Sequence, residues 1–239
     1  MAFNILQILI VFGVGSFSLL IALFIFQKSP KNRLNQLFAL GYCFFGLFLL
    51  ITLPWQILPV TDTTTYAVLF NLCRDISSMA AISSTATLFL VSQYARRGPE
   101  LFENRPLIIS FVVGIIGMMI IGQLDDHIVL DPQSYQGFYL VDGPLGLLFC
   151  FILPLVLSLG MVINFGLLWY NLEDAQIKRN VFFYFIGVTI MVAGQLFQAL
   201  LIILFDPEFY IVNPILNYIV YFSWAIGELI SAVGFMHKN

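Results

Sequence analysis

Apolar residues run along this chain in seven long stretches, each separated from the next by a short polar or turn-forming segment. A helix needs about 20 predominantly apolar residues to cross a bilayer, and each stretch falls in or above that range. The pattern predicts an all-α membrane protein, a seven-transmembrane helix bundle that forms a single domain over residues 1–239. The predicted spans are 5–26, 36–58, 67–94, 106–123, 145–170, 180–205 and 213–236. Pro54 is expected to end or kink the second span early.

The composition agrees with a chain embedded in lipid. Of the 239 residues, 60% are hydrophobic and only 10% charged, whereas roughly a quarter of the residues are charged in soluble domains. Seven spans with short connections leave no room for a separate catalytic domain of about 150 residues. The net charge of -3 and the lack of a basic stripe exclude a nucleic-acid partner. The expected location is the cell membrane, as a multi-pass protein.

The distribution of Lys and Arg predicts the orientation, because basic residues near the ends of spans are retained in the cytoplasm. Nine of the ten basic residues lie in the first, third and fifth loops or at the C-terminus, and none lies in the other loops. This alternation places the N-terminus outside and the C-terminus inside, and it leaves Arg74 as the only basic residue within a span. The nine are Lys28, Lys31, Arg33, Arg96, Arg97, Arg105, Lys178, Arg179 and Lys238.

The long connection from about residue 124 to 144 is predicted to lie outside. Residues 127–130 and 136–141 read as two short strands joined through Asp131-Pro132. We expect an extracellular β-hairpin between the fourth and fifth helices, covering the outer end of the bundle, and a disordered loop is the alternative.

Ionisable side chains in a span are costly, so each one is a hypothesis for a functional site. Three qualify, namely Arg74, Asp75 and Glu228. The third span also carries so many amides and hydroxyls that most of its sides cannot face lipid, and we expect it to be the central helix. These polar residues are Asn71, Ser77, Ser78, Ser83, Ser84, Thr85, Thr87, Ser92 and Gln93.

A polar layer near the outer end of the bundle is the candidate ligand site. A rise of ~1.5 Å per residue puts Arg74 and Asp75 roughly 6–10 Å below the outer end of their helix, and polar residues of the last two spans fall at a similar depth. We expect a pocket that opens outward and binds a small polar or anionic ligand. Its candidate residues are Arg74, Asp75, Asn71, Gln195, Gln198, Asn217, Tyr221 and Trp224. The alternative is a lock between helices that holds no ligand.

Glu228 is predicted to lie deeper, level with Ser83 to Thr85 of the third span. Our hypothesis is a protonated carboxyl that is hydrogen-bonded to those hydroxyls and acts as a switch between bundle states. The alternative is a neutral glutamic acid with only a structural role.

Signatures of catalysis and cofactor binding are missing from the sequence. Its two histidines, His127 and His237, lie outside the spans, so no histidine cluster or Ser/His pair forms in the membrane. A retinal Schiff base needs a lysine inside the last span, and Lys238 lies at its very end. Cys43, Cys73 and Cys150 are expected to be packing residues. We therefore expect no enzyme activity, no cofactor and no metal.

Four short segments resemble the seven-helix N-terminal sensor region of membrane histidine kinases. They are Ser29–Leu40 (SPKNRLNQLFAL), Leu101–Pro106, Gly143–Leu145 and Ile177–Asn180 with the later Gly187. The resemblance implies a receptor-like sensor that passes a ligand-dependent helix movement inward. Such regions continue into a kinase, so this chain is expected to be either a stand-alone member or a fragment of a longer protein.

The resemblance and the polar layer together suggest four kinds of partner. They are a small-molecule or lipid ligand, the membrane lipids, a separate cytoplasmic signalling protein, and a second copy of the chain in a homodimer. Two other functions stay open, a small-solute transporter that uses the same cavity and a structural or scaffolding membrane protein without a ligand. Internal repeats, which are typical of transporters, are not evident.

Overall fold

The computed structural model describes residues 5–54, 65–125, 127–130, 138–141, 143–204 and 214–236. Six of the helices in this part of the chain are long and apolar enough to cross a membrane, which confirms a helical, multi-pass type of membrane protein. The last helix has a shorter apolar stretch, Tyr218–Gly234, so the seventh span stays a prediction. The helices are α1 (Ile5–Lys28), α2 (Arg33–Ile51), α3 (Thr65–Arg97), α4 (Arg105–Asp125), α5 (Pro144–Asn171), α6 (Ala175–Leu204) and α7 (Pro214–Met236).

Short polar side chains set the helix ends near the loops that carry the basic residues. Asn32 caps α2 by accepting a hydrogen bond from the Leu34 backbone N–H at 2.9 Å. Asp174 caps α6 in the same way, with its Oδ1 2.8 Å from the backbone nitrogen of Ile177. These caps satisfy backbone donors that a helix leaves unpaired at its start. At the opposite end of the second span, α2 ends at Ile51 and Thr52 forms a turn, so the helix is interrupted just before Pro54.

The fifth helix is irregular near its start. Pro144–Gly146 forms a first turn, Leu147–Ile152 is wound as a π-helix, and Leu153–Asn171 continues as a regular α-helix. Pro154 explains the wide turn, because proline has no backbone N–H and its ring clashes with the carbonyl four residues earlier, that of Cys150. The helix is therefore locally widened just before Pro154.

Six helices form a closed ring. In chain order α1 packs on α2, α2 on α3, α3 on α5, α5 on α6 and α6 on α7, and α7 returns to α1. Helix α4 lies outside this ring, against α3 and α5. The spanning segment of α3 is 56% buried, compared with 17–39% for the other five candidate spans. The third span is thus the most buried of the six candidate spans, and in place of the predicted central position it is one member of the ring that also contacts α4.

One end of the bundle collects the ends of α1, α3 and α5 and the starts of α2, α4 and α6. We call it the basic end, because its described residues include eight Lys and Arg side chains. Its basic residues are Lys28, Lys31, Arg33, Arg96, Arg97, Arg105, Lys178 and Arg179. Which side of the membrane this end faces stays a prediction.

Two short strands lie between α4 and α5. β1 (His127–Leu130) pairs with β2 (Phe138–Val141) in an antiparallel register that sets His127 opposite Val141. The segment that would form the turn, residues 131–137, lies outside the described residues. The predicted hairpin therefore stays a prediction, as does its position over the outer end.

Candidate functional site

Arg74 lies inside the protein, on the most buried helix. Its side chain is only 4% exposed, and the neighbouring Asp75 is partly buried on the same helix. Asn71 is one helical turn before Asp75, so the two share a face. Arg74 and Asn71 both have interaction partners in the structure. The chain thus encloses a guanidinium group near the end of the bundle opposite the basic end, as the sequence predicted.

Trp224 belongs to an aromatic cluster rather than to an open pocket wall. It is 5% exposed, and its ring centroid lies 5.5 Å from Phe45, 5.9 Å from Phe48 and 5.6 Å from Tyr221. Residues of α1 also pack into this cluster, including Val11. The expected proximity of Tyr221 and Trp224 is therefore observed, but within packed core.

Gln195 faces a small cavity at the centre of the ring. The cavity has a volume of about 30 Å³ and is lined by α2, α3, α5 and α6. A space of about 10–15 Å³ admits one water molecule, so this cavity has room for water but not for an organic ligand. Its polar lining residues are Tyr42, Ser84, Thr85, Ser158, Tyr184 and Gln195.

The predicted layer that would join Gln195 to Arg74 stays a prediction. The residues that line the central cavity include Gln195 but neither Arg74 nor Asp75. The cavity instead reaches Ser84 and Thr85, which follow Arg74 on α3 by about three helical turns. The side chains of Gln198 and Asn217 lie outside the described part of the structure, so their place in a pocket stays a prediction.

Glu228 is completely buried, at 0% exposure, and its hydrogen-bond partner differs from the predicted one. Its Oε1 lies 2.6 Å from the Oγ of Ser18 on α1. The expected partners bond elsewhere, with Ser84 donating to the carbonyl of Gly41 and Thr85 to that of Ala81. The reason is the closure of the ring, which turns the buried face of α7 towards α1 and not towards α3.

The direction of the hydrogen bond between Ser18 and Glu228 depends on whether the carboxyl of Glu228 carries a proton. Ser18 Oγ also lies 2.8 Å from the carbonyl oxygen of Val14, yet a hydroxyl has a single hydrogen to donate. If Ser18 donates to Val14, then Glu228 must carry the proton of the other hydrogen bond. An ionised carboxylate is costly in apolar surroundings, and Glu228 is 0% exposed, so a neutral carboxyl that donates to Ser18 fits this burial.

Several polar groups lie near Glu228 that the sequence did not identify as its neighbours. Ser18 and Ser231 are both fully buried, and Tyr42 is buried beside them. Glu228 Oε2 has no hydrogen-bond partner among the described residues, and the hydroxyl of Ser231 lies near that of Tyr42. Single hydroxyls in apolar helices usually only pack or bond to their own backbone. The one available clue was the spacing of Glu228 and Ser231, which puts both on one face of α7.

Three aromatic rings separate the central cavity from a larger one at the basic end. Phe38, Phe165 and Tyr184 line both cavities. The ring centroid of Tyr184 lies 4.7 Å from that of Phe38 and 5.8 Å from that of Phe165. The Tyr184 ring thus contacts both of the others, and we call these three residues the aromatic layer.

The described residues contain no group of three or more His, Cys, Asp and Glu side chains that would hold a metal ion. No family model, curated protein or solved structure matches this chain. The fold alone therefore defines the class of protein. It is a multi-pass helical membrane protein with charged residues enclosed in its bundle. The resemblance to sensor regions of histidine kinases stays a prediction.

Proposed function

We propose that this chain is a receptor-like sensor module of the cell membrane. In this proposal the chain crosses the membrane seven times, with its N-terminus outside, and binds a small polar or anionic ligand around Arg74 and Asp75. The observation that carries the proposal is the burial of Arg74 on α3. A charged side chain enclosed in a span is expensive to maintain and typically marks a functional site.

The same helix offers a route for the signal. Helix α3 runs from the level of Arg74 past the central cavity and ends at the basic end with Arg96 and Arg97. A ligand transmits a signal only if it binds one helix arrangement better than another. A shift of α3 caused by ligand binding near Arg74 would move exposed basic residues at the far end, where a cytoplasmic signalling protein would bind.

Glu228 is the proposed switch in this module. Its single observed partner, Ser18, lies on the first helix, so the bond holds α7 against α1. Rotation of α7 would break this bond and require another partner for the carboxyl. The closed ring is one state of the bundle, and a ring opened between α1 and α7 is the proposed second state.

The first experiment is native mass spectrometry of the purified protein in lipid nanodiscs. The original chain is compared with Arg74→Ala and with Arg97→Ala, whose side chain is exposed at the basic end. We expect a small molecule that is retained by the original chain and by Arg97→Ala but lost from Arg74→Ala at equal folding. If no variant retains a ligand and Arg74→Ala only melts earlier, Arg74 is a lock between helices and the protein is a scaffold.

A transporter of small solutes is the second candidate, and a specific observation favours it. Two cavities lie on either side of Phe38, Phe165 and Tyr184, which line both of them. Movement of this layer would connect the central cavity to the basic end. Concentrative uptake of labelled small anions or amino acids into proteoliposomes, driven by a proton or sodium gradient, would favour the transporter. Ligand-dependent stabilisation without uptake would favour the sensor.

We also propose that the protein is not an enzyme and needs no cofactor. This proposal rests on the sequence, where the histidines lie outside the spans and motifs for nucleophilic or metal-dependent catalysis are missing.

A further inference from the structure

The larger cavity lies at the basic end, between the first loop and the start of α6. Its volume is about 370 Å³, which falls within the range of about 300–1,000 Å³ that is typical of small-molecule sites. Six helices, α1, α2, α3, α5, α6 and α7, contribute to its wall, so it is a feature of the bundle and not of one loop. It lies at the opposite end from Arg74.

The wall of this cavity has a polar part and an apolar part. The polar part consists of Lys28, Ser29, Asn32, Asn35 and Asn180. The floor is the aromatic layer of Phe38, Phe165 and Tyr184, and Leu168 and Ile177 complete the apolar side. Such a wall suits an amphiphile, a molecule with a polar head and an apolar body, better than a fully hydrophilic solute.

The charged residues around the cavity determine which charge is favoured on the polar head of the ligand. Lys28 is the charged residue of its wall. The described residues of the surrounding loops carry four acidic side chains, Glu100, Glu103, Glu173 and Asp174, against the eight basic ones already named. Asp174 is engaged in capping α6. The excess of positive charge favours an anion, and basic pockets at the ends of membrane helices commonly hold phosphate headgroups.

Asn180 adds a requirement that a phosphodiester alone does not meet. Its Oδ1 is buried and has no hydrogen-bond partner among the described residues. A buried carbonyl oxygen without a donor is unfavourable, and the phosphodiester group of a lipid head carries no hydrogen that it could donate to Asn180. A hydroxyl group on the ligand would donate to Asn180, while the phosphate of the same ligand would lie near Lys28.

The rim of the cavity provides an exit for an acyl chain. Ile177, which lines the cavity, is 47% exposed on the outer surface of the bundle. Lys28 is the last residue of α1, at the level where a spanning helix reaches the headgroups of the bilayer. A lipid head placed in the cavity would therefore leave its tails beside Ile177, in the surrounding bilayer.

We propose that this cavity binds the headgroup of an anionic phospholipid that carries hydroxyl groups, of the phosphatidylglycerol or phosphoinositide class. Lys28 receives the phosphate and Asn180 accepts a hydrogen bond from a headgroup hydroxyl. The site is separate from the proposed outer ligand site, so either can fail without the other.

The test uses the full chain in nanodiscs made from equal amounts of phosphatidylcholine and phosphatidylglycerol, analysed by native mass spectrometry. We expect one phosphatidylglycerol to be retained after gentle activation. Lys28→Gln should lower the ratio of retained phosphatidylglycerol to phosphatidylcholine by at least about fivefold, the effect of one basic residue near a membrane surface. Lys28→Arg should preserve the ratio, and so should the matched surface control Arg97→Gln.

A second variant keeps the charge of Lys28 and fills the cavity. Ala95 lines the cavity, so Ala95→Trp should fill it and displace the lipid, and the melting temperature confirms that the variant is folded. An unchanged lipid ratio in both Lys28→Gln and Ala95→Trp would overturn the proposal. An equal loss in Arg97→Gln would also overturn it, since general surface attraction would then explain the retention.

The role of Asn180 and the source of the headgroup are tested in separate arms. Phosphatidylethanol has the same anionic phosphodiester but no headgroup hydroxyl, so the original chain should prefer phosphatidylglycerol and Asn180→Leu should lose that preference. Equal retention of the two lipids by the original chain would overturn the assignment of Asn180. Displacement of the lipid by millimolar glycerol 3-phosphate would overturn the lipid and identify a soluble phosphate ester as the ligand.

Discussion

The carboxyl of Glu228 and the hydroxyl of Ser18 form a polar contact within an apolar surrounding. Glu228 is among the largest side chains that the described structure buries completely. Its Oε1 is bonded to Ser18 at 2.6 Å, and the geometry fits a neutral carboxyl. If this is correct, the amide of glutamine can replace it, because glutamine has the same size and also donates a hydrogen bond.

We therefore expect Glu228→Gln to melt within a few degrees of the original chain in nanodiscs. Glu228→Ala and Ser18→Ala should each destabilise the bundle, by about 1–3 kcal/mol, because they leave a buried polar partner unpaired or an empty space. A double-mutant cycle with Ser18→Ala and Glu228→Gln measures the coupling directly. Equal destabilisation by Glu228→Gln and Glu228→Ala would show that the charged carboxylate is required.

The sequence was enough to predict that Arg74 and Glu228 are enclosed, because hydrocarbon excludes charged groups whatever the fold. It was not enough to predict the partner of Glu228. Ser18 is 210 residues away, and only the closure of the ring brings the two together. Gln195 shows the same limit, since its depth was estimated from the sequence but its direction depends on how α6 is rotated in the bundle.

At the scale of elements, close approach of α6 and α7 depends on two glycines. A Cβ on Gly187 would overlap the backbone oxygen of Gly227 and the Oγ of Ser231. A Cβ on Gly227 would lie 2.6 Å from the backbone oxygen of Gly187. Small residues let membrane helices pack at short distance, and this pair brings the backbone of α7 against that of α6 just before Glu228.

Gly227→Ala should therefore destabilise the bundle, by about 1–3 kcal/mol, because an added methyl group in a packed interface forces the helices apart. Gly117→Ala on α4 is the matched control, since a Cβ there meets nothing within 4 Å. It should leave the melting temperature unchanged or slightly raised. The measurement is thermal unfolding in nanodiscs, and equal effects of the two substitutions would contradict the close contact.

The first and last residues of most helices could be predicted from the sequence, whereas the packing of the helices against one another could not. Apolar length and turn residues put the ends of α1, α4, α5, α6 and α7 within a few residues of those observed. In the second predicted span, α2 ends at Ile51 and Thr52 forms a turn before Pro54, and the predicted end at 58 lies outside the described residues. The peripheral place of α4 had no clear sign in the sequence, since lipid-facing and protein-facing apolar residues look alike.

At the scale of the whole molecule, the described basic residues outside the spans gather at one end. The remaining basic residue of the described chain, Arg74, lies inside α3 near the opposite end. If basic loops are retained in the cytoplasm, this asymmetry fixes the orientation of the entire bundle.

A reporter assay tests that orientation. We expect alkaline phosphatase to be active when it is fused after residue 130 and inactive when it is fused after residue 100. A green fluorescent protein at the C-terminus should fluoresce, because it folds on the cytoplasmic side. The reversed pattern would place the basic end outside, and the predicted cytoplasmic partner would then be excluded.

The bond between the first and last helices also has a consequence for biosynthesis. Ser18 leaves the ribosome long before Glu228, so α1 enters the bilayer with its hydroxyl facing no carboxyl. When α7 follows, its acidic side chain has to be shielded until α1 is beside it. Assembly should therefore finish with the docking of α7 into the gap between α6 and α1. A chain truncated before α7 would leave an open groove, which a cell's membrane quality-control proteases would recognise.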